Sequence, residues 1–377
     1  MAERIATTVG TAAAVLAMTP AAATATRTTF GMLPDGRAVP AVTLTNGHGL
    51  SATVIAYGAT LQAMVLPDAK GRPADVALGY ATIEDYLAHP QYFGATVGRY
   101  ANRIARGRFS LGNRSFQVPV NNGANSLHGG SRGFDKLLWD VVEADGDHVT
   151  LRHVSPDGEM GYPGTLTATA TYRLSEDDRL TISYSATTTA PTIVNITNHA
   201  YWNLSGEGSA NGAMGHVVTI PADSFLPTDA GAIPTGERRS VTGTPFDFRA
   251  GHAVGDQVRD ANDQQLVFGR GFDHNWIVGE RITSALHLTA RVADPLSGRN
   301  FELWSNQPGV QFYSGNFLDG TTSGKARRIY RAGDAVVLEP QLFPDTPNQP
   351  AFGSAQLAPG ETYRNIIEYR FYSGAPR

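Results

Sequence analysis

Thr167-Ala168-Thr169-Ala170-Thr171-Tyr172 is followed shortly by Leu180-Thr181-Ile182-Ser183-Tyr184. In both stretches apolar and polar residues change places at nearly every step, the period of a half-buried strand whose side chains point alternately to two faces. Ala335 to Glu339 reads as a further strand. The punctuation between such runs is that of hairpins. Asp145-Gly146 separates Val141-Val142 from Val149 to Leu151, and Ser297-Gly298 separates Leu286 to Val292 from Phe301-Glu302-Leu303-Trp304. The best helix candidate is short: it opens at Thr82 with Asp85 three residues on, in the manner of a capping box, and stops before Pro90. No repeat, charge block or linker divides the chain, so the expectation is all-β: one large antiparallel β-sandwich with few short helices.

The composition narrows the function classes. The 377 residues carry 30 Lys+Arg against 34 Asp+Glu, a formal net charge of −4, so the chain offers no electrostatic grip on nucleic acid. There is no cysteine, which removes disulfides, zinc–thiolate sites, iron–sulfur clusters and thiol nucleophiles. Residues 1–26 read differently from the rest. Ala6 to Met18 is uncharged and Ala-rich, and Pro20 to Ala25 offers small-residue cleavage options, as in a secretory signal peptide; the alternative is a disordered N-terminal extension. Export to the periplasm or the medium follows from the first reading, a cytoplasmic location from the second. Residues 27–377 form the expected single domain. No later run approaches the ~18 apolar residues of a membrane span.

One stretch is unusually polar for its setting. If Ile193 to Trp202 is extended, Asn195, Thr197, His199 and Tyr201 share one face, and Val194, Ile196, Asn198, Ala200 and Trp202 share the other. A row of amide, hydroxyl, imidazole and phenol suggests a lined cleft, although an isolated histidine reads more readily as a satisfied core or edge residue. His128, in Asn125-Ser126-Leu127-His128-Gly129-Gly130, belongs on a loop. Gly98-Arg99-Tyr100-Ala101-Asn102-Arg103 sets two arginines and an amide beside an apolar stretch. Phe272-Asp273-His274-Asn275 and Gln307 to Tyr313 add an acid and amides beside aromatics. Glu339 ends the apolar run Val336-Val337-Leu338, where an unpaired carboxylate would be costly; it is either an ion-paired structural group or a tuned acid/base. No strand–glycine loop–helix unit is present for a nucleotide, and the ten histidines include no helical H-x-x-x-H pair, so neither a nucleotide cofactor nor a metal is expected. Amides, carboxylates, arginine and aromatic faces together suit a hydroxyl-rich small molecule.

In order along the chain, these motifs resemble the aldose 1-epimerases, or galactose mutarotases. The resemblance is carried by Tyr57-Gly58-Ala59-Thr60-Leu61, Leu78-Gly79-Tyr80, Gly98 to Ile104, Asn125 to Gly130, Gly161-Tyr162-Pro163-Gly164, Thr197-Asn198-His199-Ala200-Tyr201, Phe272 to Asn275, Gln307 to Gln311, and Leu338-Glu339 with Pro344-Asp345. It implies a galactose mutarotase-like supersandwich that interconverts the α and β anomers of free aldohexoses, without a cofactor, as a monomer or weak dimer. It further implies Glu339 as catalytic base, His199 as catalytic acid, and His128 as an assistant at the ring oxygen or a sugar ligand. Asn102, Arg103, Asp273 and Gln311 fall where the family contacts sugar hydroxyls. Met160, Thr189 and Pro340 depart from the family pattern. Opening a hemiacetal needs a base at O1 and an acid at the ring oxygen. The expectation is therefore an ionised Glu339 and a protonated His199 whose pKa the carboxylates Glu339 and Asp273 raise, with a bell-shaped rate profile. Three rivals use the same groups: a glycoside hydrolase built on Asp273 and Glu339, a non-catalytic carbohydrate-binding protein, and a hexose-6-phosphate epimerase drawing on Arg103, Arg106 and Arg108.

Overall fold

The computed structural model describes residues 23–375. Three antiparallel sheets carry it. The largest has nine strands, in the order Asp140–Asp145, His148–Ser155, Leu166–Leu174, Arg179–Thr188, Tyr363–Ser373, Arg299–Ser305, His287–Ala293, Val217–Thr219 and His252–Ala253. The alternation noted above is realised here: Leu166, Ala168, Ala170, Tyr172 and Leu174 are buried, while Thr167, Thr169 and Thr171 between them are only half-buried. The outward hydroxyls pair across strands, Thr169 with Ser185 at 2.6 Å and Thr150 with Thr171 at 3.0 Å. Both expected hairpins form, Asp140–Asp145 with His148–Ser155 and His287–Ala293 with Arg299–Ser305.

An N-terminal sheet of five strands, from Thr24–Met32 to Pro73–Asp75, pairs in sequence order. Its first strand is already paired at Thr24, with Thr45, so ordered structure begins before the expected boundary at residue 27. The segment read as a signal peptide otherwise lies outside the described residues. The helix Ile83–Ala88 opens as expected, with the Thr82 hydroxyl accepting from the Asp85 N–H at 3.2 Å.

The third sheet positions the cleft. Its six strands run Tyr201–Trp202, Val336–Gln341, Gly309–Tyr313, Asp273–Ile277, Ser224–Leu226 and Arg239–Ser240. Trp202, Val336, Leu338, Val310, Phe312 and Trp276 enter one apolar cluster with residues of the other two sheets. The alternate residues look the other way, and the register sets them in rows. Tyr201, Val337, Tyr313 and Asp273 are successive cross-strand partners, and Glu339 faces Gln311, which faces Asn275.

One element departs from the sequence reading. Ile193 to Trp202 is not one strand but three two-residue strands, Thr192–Ile193, Thr197–Asn198 and Tyr201–Trp202, each pairing with a different partner. The polar side chains explain the break, because they take up backbone groups that a ladder would have used. Asn195 donates to the Ala101 carbonyl at 3.0 Å and accepts from the Leu342 N–H at 3.0 Å, and the Thr197 hydroxyl donates to the Pro340 carbonyl at 2.7 Å. Asn198, on the opposite side, donates to the Gly94 carbonyl at 2.8 Å and to the buried Tyr172 hydroxyl at 3.2 Å.

Candidate active site

A cavity of about 520 Å³ opens over the polar face of the six-stranded sheet. Asn102, Arg103, His128, His199, Asp273 and Glu339, distant in sequence, all line it. Gln311 is set beneath rather than on the wall: its amide donates to Asp273 Oδ1 at 2.8 Å. Sequence reasoning singled out all seven residues, and the fold brings them together.

Glu339 is on the wall because it alternates with core residues on Val336–Gln341. Pro340 remains inside that strand, where it costs no ladder bond on the far side because Tyr201–Trp202 pairs only with Val337 and Val336. Its carbonyl also accepts from Asn365 at 2.9 Å. His199 Nε2 stands 3.7 Å from Glu339 Oε1, and both side chains are almost fully buried. The histidine backbone is held on both sides of its peptide: its N–H donates to the Ala95 carbonyl at 2.9 Å, and its own carbonyl accepts from the Gly94 N–H at 3.0 Å. Gly94 sits at φ +65, and a Cβ there would meet the Leu61 carbonyl oxygen at 2.0 Å, so this turn requires glycine.

The other wall comes from two loops that lock together. Ser126–Leu127 pairs with Arg103–Ile104, the His128 N–H donates to the Asn102 carbonyl at 3.1 Å, and the Asn102 N–H donates to His128 Nδ1 at 3.1 Å. Asn102 and His128 both adopt left-handed backbone, φ 64 and 50, which turns the two side chains into the cleft. Arg103 donates to Asn122 Oδ1 at 3.1 Å and lies 3.5 Å from Asp273 Oδ2. Its neighbour Arg99 has a different task, donating to Ser155, Pro163 and Gly164 away from the cleft. Arg106 and Arg108 do not line the cavity either, whereas Arg270 stands at its mouth over the Phe317 ring.

Burial, not charge attraction, dominates the electrostatics of the central pair. It pushes the His199 pKa down to about 4, with Asp273 pulling weakly the other way. It pushes Glu339 well above the usual carboxylate range, helped by Asp273 and opposed by Arg103. The expectation that carboxylates would raise His199 is thus overturned: desolvation outweighs them. Burial thus disfavours the charged form of both partners, pushing the imidazole down and the carboxyl up toward one another. His128 is lowered well below the ordinary histidine value too, by burial and then by His199, Arg103 and Lys136.

His128, His199 and Glu339 bring candidate metal ligands within 4.8 Å of one another. The donor set does not fit a metal. His128 Nδ1 accepts the Asn102 N–H, so a neutral ring carries its proton on Nε2 and offers the cleft a donor instead of a lone pair.

Tyr92 went unread in the sequence as a site residue; it lines the cavity together with Tyr313 and with Tyr201, which the sequence placed on the polar face, and Phe268 and Phe317 line it too. Phe268 comes from the helix Gln264–Gly269, capped by Asp263, which the sequence pattern did not reveal. The signal available for Tyr92 was its position just before Phe93-Gly94 in a turn-rich segment.

A β-sandwich whose cleft sets a buried carboxyl against an imidazole, ringed by amide, guanidinium and aromatic groups, is of the class suited to hold a polyhydroxylated ligand beside a proton donor and acceptor. The comparisons make this specific. The family profile described as aldose 1-epimerase matches residues 40–370. The chain is 44% identical over 346 residues to a galactose mutarotase of Mus musculus, covering 92% of this chain and 98% of that protein. It is 37% identical to the aldose 1-epimerase of Escherichia coli K12, covering 91% and 98%. The crystal structure of galactose 1-epimerase from Lactobacillus acidophilus superposes with a TM-score of 0.81 at 28% identity, covering 93% of this chain and 99% of that one. The chain belongs to the aldose 1-epimerase family, isomerases acting on carbohydrates.

Proposed function

We propose that the protein interconverts the α and β anomers of free aldohexoses such as glucose and galactose, with Glu339 as base and His199 as acid. Glu339 in its ionised form takes the O1 proton while the His199 imidazolium delivers one to the ring oxygen. The C1–O5 bond opens, the aldehyde turns about C1–C2, and reclosure on the other face returns both protons. The proposed step needs one proton shared by the pair. The carboxyl-neutral and ion-pair forms differ only in which partner carries it, and opening the ring converts the second into the first. Asn102, Arg103 and Asp273 take sugar hydroxyls, Gln311 fixes Asp273, and His128 donates from Nε2 toward the ring-oxygen side.

The observation that carries this reading is the 3.7 Å approach of His199 to Glu339 in one buried cleft. A hydrolase would need Asp273 as a second working carboxylate, but Arg103 and Gln311 already engage both of its oxygens. Polarimetry on fresh α-glucose and α-galactose tests the proposal. Glu339→Gln and His199→Asn should each lose turnover while sugar binding persists, and near-normal rates in Glu339→Gln would overturn the base role. The same proposal has the enzyme as a monomer or weak dimer, which its molar mass in solution by light scattering checks. N-terminal analysis of protein from culture decides between export and a cytoplasmic location.

A further inference from the structure

His199 is flanked by two phenol rings at near-parallel angles, Tyr92 with centroids 5.7 Å apart and 27° between planes, and Tyr201 at 5.0 Å and 26°. The two tyrosines come from separate segments yet are tied together, because the Tyr201 hydroxyl donates to the carbonyl of Gln91, the residue before Tyr92, at 3.1 Å. Tyr92 itself is held at φ 61, an uncommon conformation for a bulky residue, and its carbonyl accepts from the Ala95 N–H at 3.1 Å. Ala95 in turn receives the His199 N–H. The segment 91–95 is therefore registered on His199 both through its backbone and through its rings.

An imidazolium must exist transiently in a site where burial disfavours it, and aromatic faces attract cations through their quadrupole. We propose that Tyr92 and Tyr201 are positioning residues for His199, whose ring faces fix the imidazole and stabilise its protonated form while Glu339 is ionised. This rests on the acid and base roles assigned above. The other groups around His199 are accounted for. Glu339 and Asp273 favour the imidazolium, and His128, 5.2 Å away, stays neutral. Tyr313 lies edge-on at 6.5 Å. Arg103 is engaged by Asp273, and Lys136, 4.9 Å from the Tyr92 centroid, is bonded to Asp135 at 2.5 Å.

The test compares Tyr92→Leu, Tyr92→Phe and Tyr92→Trp by polarimetry across pH, with the His199 resonance followed in histidine-labelled protein. Its assignment comes from the signal missing in His199→Asn. Tyr92→Leu should lower kcat about threefold to tenfold with KM nearly unchanged, and move the acid limb and the His199 titration down by about half to one pH unit. Tyr92→Phe should leave the limb in place, and Tyr92→Trp, whose face is the stronger, should move it up. A merely structural ring would give the opposite sign in Tyr92→Leu, because water admitted to the site lets His199 return toward its ordinary value. An upward or absent shift in that variant overturns the proposal. Should Tyr92→Leu not fold, an unmoved limb in Tyr92→Trp does the same. If Glu339→Gln and His199→Asn remain active, the parent reading fails and this one with it. If they are inactive and the limb ignores residue 92, only the role of the rings is lost.

Discussion

The two faces of the six-stranded sheet use the same strands for opposite purposes. On one, Val336, Leu338, Val310, Phe312 and Trp276 close against the core, and their one polar side-chain atom, Trp276 Nε1, is satisfied by the Phe246 carbonyl at 3.0 Å. On the other, one residue along, Glu339 and Gln311 are almost as deeply placed and Asp273 is partly exposed, all three carrying polar atoms, and Glu339 Oε2, Gln311 Oε1 and His199 Nδ1 make no hydrogen bond among the described residues. Burying such groups without partners costs roughly 1–3 kcal/mol each. The contrast teaches that the core face supplies stability and the cleft face consumes it in return for reactivity.

Substitutions on the two faces should therefore separate activity from stability. The largest effect belongs to Glu339→Gln, expected to reduce kcat by about a thousandfold or more. Its thermal midpoint at pH 7 should rise. An acid whose folded pKa is raised loses stability as pH climbs past its unfolded value of about 4.3, because the unfolded chain releases the proton and the folded one retains it, and glutamine removes that penalty. A fall in the midpoint would break the comparison. Phe312→Ala should do the reverse, costing about 3–5 kcal/mol in denaturant unfolding while residual folded enzyme keeps its KM. Asp273→Asn comes next: the hydrogen bond from Gln311 survives but the ionic contact with Arg103 does not, so KM should rise about tenfold with a smaller change in kcat. Thr82→Ala, remote from both faces, should cost about 1 kcal/mol through the lost cap and leave kinetics untouched.

The pH profile sharpens the same contrast. Turnover requires one proton on the pair, so the acid limb reports the second protonation, near the depressed His199 value of about 4. The alkaline limb reports loss of the last proton, well above the usual carboxylate range because Glu339 is raised. The two limbs belong to the coupled pair and not to either residue. A rate measured by polarimetry that falls on the alkaline side near pH 5 would contradict this.

The outer strands were legible because only one face of each is buried: Thr167 to Tyr172 announces its pleat. Val336–Gln341 and Gly309–Tyr313 are buried on both faces, so their sequences show that they are strands without showing which residues face the cleft. The seven candidate residues that the fold brings together were singled out through motif order and their chemistry. Their electrostatics were not, since a sequence reveals which charges exist but not how far water is excluded from them. Tyr92 escaped for a related reason, because its role depends on a left-handed turn that no residue type at that position signals. Ile193 to Trp202 was read with the correct polar side chains and the wrong continuity, since the hydrogen bonds that interrupt it reach residues such as Ala101 and Leu342 that local pattern does not place nearby.

In the proposed mechanism the closeness of His199 to Glu339, both almost fully buried, makes the cycle self-contained. Each half-reaction leaves behind the acid and the base that the next one consumes, and no hydron has to be drawn from or released to the medium. Turnover should accordingly be indifferent to the concentration of buffer, unlike the spontaneous reaction, which general acids and bases in solution accelerate.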